Sequence, residues 1–201
     1  DLAAAPLDDV LANWAGLGYY ARARNLHKCA VAVAALGGVF PDSEAGLMDL
    51  PGIGPYTAAA IGAIAYDLPL MPVDGNIERV TARYLAISKP LPGVKGELRD
   101  KAQKFKTNDR PGDMAQALMD LGATICTPRN PTCEACPISK GCKALAKGIA
   151  ADLPKRSPKK PRPVRYATMF WLTRPDGRVL LQKRPEKGLL GSMLGLASTE
   201  W

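Results

Sequence analysis

Apolar residues recur at helical spacing through most of the first 150 positions. In residues 20–36 they recur at helical spacing, at Leu26, Ala30, Val33 and Ala34. This spacing predicts a helix with one apolar side. The same argument predicts helices in residues 7–16, 43–50, 56–65, 76–86, 96–106 and 113–124. Residues 56–65 are apolar nearly all round, so we expect that helix to be buried. The pattern therefore predicts a mainly α domain over residues 1–151.

The pattern changes after this helical region. Residues 152–163 (DLPKRSPKKPRP) carry five Lys or Arg and four Pro, which predicts a stiff basic linker. Two strand-like stretches follow, residues 166–173 and 178–183, on either side of a Pro-Asp-Gly turn. Residues 164–201 are too few for an independent domain. We therefore expect them to be the beginning of a second, truncated domain.

The chain is basic, with 27 Lys or Arg against 19 Asp or Glu, a net charge of +8 and a pI near 9.3. Lysines and arginines that contact phosphates release counterions, so this surplus favours a nucleic-acid partner. No apolar run approaches the roughly 18 residues that a membrane span needs. The opening residues also lack the pattern of a secretory signal. We therefore expect no membrane association.

Four of the five cysteines lie close together, as C-x6-C-x2-C-x5-C: Cys126, Cys133, Cys136 and Cys142. Such clustering is not a secreted disulfide framework; it indicates metal ligation in a reducing compartment, and hence a cytoplasmic protein. Four thiolates can hold either a zinc ion or an iron–sulfur cubane. Zinc ribbons usually pair two C-x2-C units, whereas only one is present here, so the spacing favours the cubane. The lone Cys29 is expected to be a buried small apolar residue.

A glycine-rich turn joins two of the predicted helices in the sequence LPGIGPYTA, residues 50–58. Gly52 and Gly54 flank Ile53 just before a helix start, so free backbone N–H groups would point outward there. This geometry binds a phosphate without reading any base. An ordinary helix–helix turn is the alternative.

Asp74 precedes the helix predicted over residues 76–86. An aspartate at this position is most often a helix cap. The alternative is a carboxylate that faces a reacting centre. Hydrolysis of an N-glycosidic bond builds positive charge on the sugar, which a fixed carboxylate stabilises.

The hairpin, the aspartate and the cysteine loop, in this order, resemble the helix–hairpin–helix DNA glycosylase superfamily. Within it, the chain is most similar to the MutY-type adenine glycosylases. The resemblance rests on GLGYYARARNLHK (16–28), LPGIGPYTA (50–58), VDGNIERV (73–80), ALMDLGATIC (117–126) and the cysteine loop. It implies an enzyme that flips adenine out of a mispair with 8-oxoguanine or guanine in double-stranded DNA and hydrolyses its glycosidic bond.

The same resemblance implies a fold and a cofactor. The fold would be a mainly α helix–hairpin–helix domain, followed by the truncated start of a Nudix-like α+β domain that recognises the oxidised guanine. The cofactor would be a [4Fe–4S] cluster on the four clustered cysteines. We interpret the cluster as holding its loop rigid so that Arg129, Lys140 and Lys143 meet the DNA backbone. We expect the protein to act as a monomer.

The resemblance also assigns roles to single residues. Asp74 matches the catalytic aspartate, and Asn76 the asparagine beside it. Tyr19 matches a tyrosine that wedges into the duplex, and a glycine-flanked turn favours exposure over a core position. Gly52 and Gly54 would approach a phosphate.

Tyr56 distinguishes the two nearest groups of relatives. Endonuclease III-like enzymes carry a lysine here that forms a Schiff base and cuts the strand. Tyrosine cannot form an imine, so we expect a monofunctional glycosylase that uses water.

One catalytic residue of the family has no match. The glutamate that protonates the adenine belongs to a segment ahead of the matched motifs, and the first glutamate here, Glu44, fits a helix start instead. We therefore expect the sequence to be a fragment. Two alternatives remain: an endonuclease III-like pyrimidine-lesion glycosylase with lyase activity, and a non-catalytic DNA-binding module with a zinc loop.

Overall fold

The chain forms two units, residues 32–158 and residues 1–31 together with 159–201. The computed structural model describes residues 1–158, 161–186, 188 and 191–199 of the chain. The grouping differs from the sequence-based division, which keeps residues 1–151 together. Contacts between the N-terminal residues and the strand region account for the difference, and they are given with the second unit below.

All seven helices predicted from the apolar pattern are present among the eight α-helices of the described residues; the short last one was not predicted. Their bounds are α1 Leu7–Asn13, α2 Tyr20–Ala35, α3 Glu44–Met48, α4 Pro55–Ala65, α5 Gly75–Leu85, α6 Lys95–Ala102, α7 Pro111–Asp120 and α8 Lys143–Ala146. Short 3-10 turns cover Leu2–Ala4, Gln103–Phe105, Cys133–Ala135, Ser139–Gly141 and Ala150–Asp152. Among the described residues, no helix is both long and apolar enough to cross a membrane.

Helix α5 is the centre of the unit formed by residues 32–158 and packs against α6, α7 and α8. Its residues Ile77 and Val80 recur at helical spacing and are fully buried. They form a core with apolar side chains from the neighbouring elements: Met71, Ala102, Leu118 and Leu121. The start of α5, where Asp74 lies, is thereby held against the rigid centre of the unit.

Helix α4 is less buried than its sequence predicts. Its buried face consists of small residues, Ala58, Ala59, Gly62 and Ala63, whereas Tyr56 and Ile64 are exposed. Small side chains let α4 approach α7 closely. A Cβ added at Gly112 of α7 would lie 2.8 Å from the carbonyl oxygen of Ala63. The prediction that α4 is buried therefore holds for one face only, because close packing with α7 buries that face.

The helix predicted over residues 113–124 changes form before it ends. It begins earlier, at Pro111, a residue suited to the first helical position. After Asp120 the chain continues as a π-helix, Leu121–Ile125, which leads into Cys126. The wider turn leaves the Gly122 carbonyl oxygen to accept a hydrogen bond from Arg79. Single π turns of this kind occur frequently at functional sites.

The other unit contains a three-stranded antiparallel sheet with the order β1-β3-β2: β1 Met169–Phe170, β2 Leu181–Lys183 and β3 Leu194–Ser198. The first two strands lie within the predicted stretches but are shorter. The turn between these stretches is present, with Gly177 at φ +81°. The third strand was not predicted, because its sequence LGLAS lacks polar–apolar alternation. Residues 187, 189, 190, 200 and 201 lie outside the described part.

Polar contacts join the N-terminal residues to the strand region within this unit. The Lys183 ammonium lies 3.1 Å from the Asp8 carboxylate. The buried Arg24 guanidinium donates a hydrogen bond of 2.8 Å to the Gly191 carbonyl oxygen. The sequence gives no sign of these pairings, since each joins residues more than 160 positions apart.

The first residues of the predicted linker are held by the unit formed by residues 32–158. Leu153 is buried. The Leu91 amide donates to the Lys155 carbonyl oxygen and the Ser157 amide donates to the Leu91 carbonyl oxygen, both at 2.8 Å. Residues 152–157 are therefore anchored to this unit, whereas their composition predicted only a stiff basic linker. Residues 159 and 160 of the predicted linker lie outside the described residues.

Candidate active site

The predicted hairpin connects α3 to α4, which pack against each other. Gly52 takes a left-handed φ of +79°, which closes the turn. Gly54 caps α4 and Pro55 is its first residue. Glycine has no side chain that could accept a hydrogen bond from the amides of the first turn, and proline has no N–H. The amides at the start of α4 are thus available to an anion.

Asp74 caps α5 and makes two hydrogen bonds through its carboxylate. One oxygen, Oδ1, accepts from the Ile77 amide at 2.8 Å, and Oδ2 accepts from the Asn76 side-chain amide at 3.0 Å. The predicted capping role is confirmed. The carboxylate is partly buried and fixed in direction, which a catalytic role also requires. The two interpretations of Asp74 are therefore compatible.

Arg79 lies one helical turn further along α5 and holds the side chain of Asn76 in place. Its guanidinium donates to Asn76 Oδ1 at 2.9 Å, to the Cys126 carbonyl oxygen at 2.7 Å and to the Gly122 carbonyl oxygen. Burial, and then the positive charge of Arg83, lowers the pKa of Arg79. The π turn before Cys126 also contacts Asn76, since a Cβ at Gly122 would lie 2.6 Å from Asn76 Cβ. Side chains thus connect Asp74 to the start of the cysteine loop.

Arg83 holds the cysteine loop from the next turn of α5. Its side chain is almost completely buried. It donates to the Cys126 and Thr127 carbonyl oxygens at 3.1 and 2.7 Å, and to the Leu153 carbonyl oxygen at 2.8 Å. It also lies 3.3 Å from the Cys126 Sγ atom. One arginine therefore fixes both the loop backbone and the first of the four thiols.

The four clustered cysteines line one cavity, together with Arg83, Ser139 and apolar side chains. Tight backbone turns surround it; for example, the Cys136 amide donates to the Cys133 carbonyl oxygen and the Cys142 amide to that of Ser139. Cys29, in contrast, is buried elsewhere. The four clustered cysteines thus share one cavity, and Cys29 is a buried residue, as predicted for it.

Burial raises the pKa of the Cys133 thiol, and the neighbouring thiols Cys126, Cys142 and Cys136 raise it further, against a lowering by Arg83. These surroundings therefore favour the protonated thiol at Cys133. Within the described part of the chain, no three Cys, His, Asp or Glu side chains converge on a point that a single metal ion could occupy.

A larger cavity of about 240 Å³ opens between α4 and α6. Tyr56 and Val73, the neighbour of Asp74, both line it, so the hairpin and the aspartate segment share this cavity. Four charged side chains also line it: Glu44, Arg99, Asp100 and Lys106. Glu44 is the first residue of α3, the helix-start position expected for it.

The remaining predicted site residues lie on exposed surfaces. Tyr19 is 82% exposed, which confirms that it is not a core aromatic. It belongs to the unit formed by residues 1–31 and 159–201. Arg129, Lys140 and Lys143 are exposed on the cysteine loop and the start of α8. The cations beside the cysteine cavity are thus open to a polyanion.

Residues 1–105 match the HhH-GPD superfamily, whose description is base excision DNA repair protein. The match includes the hairpin, Asp74 and all of α5. The chain belongs to the HhH-GPD superfamily.

Curated relatives of this superfamily member include adenine DNA glycosylases from several species. The protein of Rattus norvegicus is 47% identical over 161 residues, which cover 77% of this chain and 31% of that protein. The protein of Homo sapiens is 36% identical, covering 100% of this chain and 46% of that protein. The protein of Mycolicibacterium smegmatis is 39% identical, covering 74% and 51%. The chain spans about a third to a half of the length of these relatives.

The fold of this superfamily member is similar to the folds of solved DNA glycosylase structures. A thermostable thymine-DNA glycosylase has a TM-score of 0.65 and 32% identity, covering 73% of this chain and 69% of that one. A non-covalent endonuclease III–DNA complex has a TM-score of 0.61 and 25% identity, covering 74% and 69%. The predicted mainly α, endonuclease III-like fold is confirmed.

Sequence reasoning missed the two buried arginines of α5. Arg79 and Arg83 are four residues apart, so they lie on one side of the helix. Ile77 and Val80, the core residues of α5, project from another side of the helix. Two cations one turn apart on a helix with a strongly apolar core face could have signalled buried hydrogen-bond partners, because buried charges are almost always paired.

Replacement of Arg79 by lysine tests how much this hydrogen bonding contributes. Lysine keeps the charge but cannot reach Asn76, Gly122 and Cys126 together with a planar fork. We expect Arg79→Lys to lower the free energy of unfolding by about 2–4 kcal/mol in urea denaturation. Arg99→Lys, the same change at an exposed position of α6, should change it by less than about 0.5 kcal/mol. Equally small changes in the free energy of unfolding for both variants would contradict a stabilising role of the Arg79 hydrogen bonds.

Proposed function

We propose that the protein is an adenine DNA glycosylase of base excision repair, which extrudes adenine mispaired with 8-oxoguanine or guanine and hydrolyses its glycosidic bond. The names of the curated relatives support the choice of base. The observation that carries the mechanism is the Asp74 carboxylate, fixed by the Ile77 amide and the Asn76 side chain. A carboxylate held in one direction stabilises the sugar cation without reorganising during the reaction.

The proton and the water have separate sources in this proposal. The departing adenine needs a proton so that it leaves as a neutral base. We assign this proton to a glutamate outside the motifs matched here, since Glu44 occupies the first turn of α3. The attacking nucleophile is water, because the hairpin position of a Schiff-base lysine is held by Tyr56.

Strand cleavage tests the role of Tyr56. Borohydride traps the imine that a lyase forms with its product. We expect no appreciable covalent protein–DNA adduct after borohydride treatment of the full-length protein on a mispaired duplex. The Tyr56 side chain is exposed, with its hydroxyl 4.0 Å from Met119 Sδ, so Tyr56→Phe should leave this result unchanged. A strong trapped band would show that a lysine elsewhere in the protein acts as the nucleophile. It would contradict the assignment of a monofunctional glycosylase.

We propose that Cys126, Cys133, Cys136 and Cys142 hold a [4Fe–4S] cluster. The donor set fits: four thiols line one mostly apolar cavity. Four thiolates suit either a zinc ion or a cubane, and the spacing with a single C-x2-C unit favours the cubane. When bound, the cluster supplies structural cohesion to a loop with few apolar residues. Arg83 and Arg79 hydrogen-bond to the start of this loop, and Arg79 also holds Asn76, which contacts Asp74.

Several exposed groups would contact the DNA in this proposal. The α4 amides behind Gly52 and Gly54 bind one phosphate, and Arg129 and Lys143 bind others beside the cysteine loop. Tyr19 enters the duplex as an apolar wedge, which unstacks the base pair next to the lesion. We further propose that the protein is a cytoplasmic monomer and that residues 164–201 begin a Nudix-like domain for the oxidised guanine.

A panel of duplexes tests the proposed substrate. The full-length protein is incubated with duplexes containing A:8-oxoG, A:G, A:T, T:G or an oxidised pyrimidine, and alkali reveals each abasic site. We expect base loss at the adenine of the first two duplexes only. Base loss at T:G or at the oxidised pyrimidine would overturn the assignment in favour of a pyrimidine glycosylase. Tight binding without base loss on any duplex would indicate a non-catalytic module.

A further inference from the structure

The turn that presents Tyr19 has an unusual backbone. Three of its residues have left-handed φ angles: Gly16 at +85°, Gly18 at +68° and Tyr19 at +48°. Glycine adopts this region easily, but a bulky residue such as tyrosine does so only where the surrounding structure requires it. Tyr19 is also 82% exposed, so its own side chain is not what holds the backbone in place.

Side chains on either side of the turn supply that constraint. The Trp14 indole N–H donates a hydrogen bond of 2.9 Å to the Gly18 carbonyl oxygen. The Gly16 amide donates to the Tyr20 hydroxyl oxygen at 3.2 Å. The Arg22 guanidinium lies over the Trp14 ring, 5.9 Å from its centroid. Both hydrogen bonds join residues four positions apart, and together they bracket the turn from both ends.

We propose that Trp14 and Tyr20 are positioning residues that hold Tyr19 in its DNA-inserting conformation. The inference rests on the proposed function, in which Tyr19 is the duplex wedge. A wedge that is already ordered in the free protein loses less conformational entropy when it enters the base stack. Lesion recognition, rather than general DNA affinity, should therefore depend on Trp14 and Tyr20, because phosphate contacts elsewhere supply the sequence-independent binding.

The first test needs no DNA. Trp14→Phe and Tyr20→Phe keep an aromatic ring but remove the indole N–H and the hydroxyl. We expect amide hydrogen exchange to become about five- to tenfold faster within the turn, at Gly16 in the Tyr20 variant and at Leu17 and Arg22 in the Trp14 variant. Tyr66→Phe, which removes a comparable hydrogen bond to the Phe40 carbonyl oxygen, and Trp171→Phe are the matched controls. Unchanged exchange in the turn would overturn the positioning role.

The second test measures insertion itself. The duplex carries 2-aminopurine beside 8-oxoguanine, which is paired with 2′-fluoro-deoxyadenosine so that the base is not released. We expect Tyr19→Ala to abolish the fluorescence rise that accompanies unstacking. Trp14→Phe and Tyr20→Phe should reduce it, and should reduce the preference for the lesion duplex over undamaged DNA by about five- to tenfold. In the Tyr19→Ala background neither substitution should have any further effect.

The outcomes separate this inference from the wedge on which it rests. If Tyr19→Ala leaves the fluorescence unchanged, Tyr19 is not a wedge, and both statements are wrong. If Tyr19→Ala acts while Trp14→Phe and Tyr20→Phe behave like the controls, the wedge stands and the positioning role is overturned. Effects that add in the double variants would also overturn it, because they would show that Trp14 and Tyr20 act independently of Tyr19.

Discussion

Asp74→Asn should slow adenine excision by about 10²-fold or more in a single-turnover assay, while duplex affinity stays close to that of the unchanged protein. Asparagine has nearly the same shape as aspartate but carries no charge. Asparagine caps helices as well as aspartate does, so its oxygen can still accept from the Ile77 amide, as the Asp74 carboxylate does at 2.8 Å. The charge that stabilises the sugar cation is removed, and the helix start is retained.

Two control variants separate catalysis from capping. Asp74→Ala removes both the charge and the cap, so it should match the catalytic loss of Asp74→Asn and also lower the free energy of unfolding by about 1 kcal/mol. Ser43 caps α3 through a hydrogen bond of 3.2 Å from the Gly46 amide. Ser43→Ala should cost a similar amount of stability without the catalytic loss. Near-normal excision by Asp74→Asn would reduce Asp74 to a helix cap.

Cys133→Ser should remove most of the bound iron and sulfide. We expect the unchanged protein, purified without oxygen, to contain about four iron and four sulfide per chain. Without the cluster, Arg129 and Lys143 are no longer held in place. DNA affinity should fall about tenfold or more, and the slope of log K against log salt should decrease by about one for each phosphate that these cations no longer bind. Metal analysis and salt-dependent binding measure both effects.

Cys29→Ser is the matched control for the cluster. Cys29 is buried but does not line the cysteine cavity. Its replacement should lower stability through the buried hydroxyl and leave the iron content unchanged. One zinc per chain without sulfide, in protein kept anaerobic, would contradict the cluster. Normal iron content in Cys133→Ser would show that Cys133 is not a ligand.

The local elements of this fold follow from the sequence, because helix periodicity and caps are local properties. The helix starts at Pro55 and Gly75 appear within a residue or two of their predicted positions. The capping role of Asp74 was also predictable, since it depends on the residue type and on the helix that follows. In contrast, strand β3 carries no local signal, because it is defined by pairing with β1 and β2.

The connection from Asp74 to the cysteine loop could not be predicted, because its partners are distant in sequence. Arg79 reaches the Cys126 carbonyl oxygen across 47 positions, and Arg83 reaches that of Leu153 across 70. These acceptors are backbone carbonyls, which every residue has, so no residue type marks them. The π turn at Gly122 arises in the same tertiary setting. The sequence therefore offers candidate site residues but not the side chains that hold them together.

Identification of the released base tests the central claim most directly. The full-length protein is incubated with an A:8-oxoG duplex in ¹⁸O-labelled water, and the products are analysed by mass spectrometry. The proposed mechanism predicts free adenine, one ¹⁸O atom on the abasic sugar and an intact phosphodiester backbone. Release of a base other than adenine, or a broken strand with the sugar attached to the protein, would contradict it.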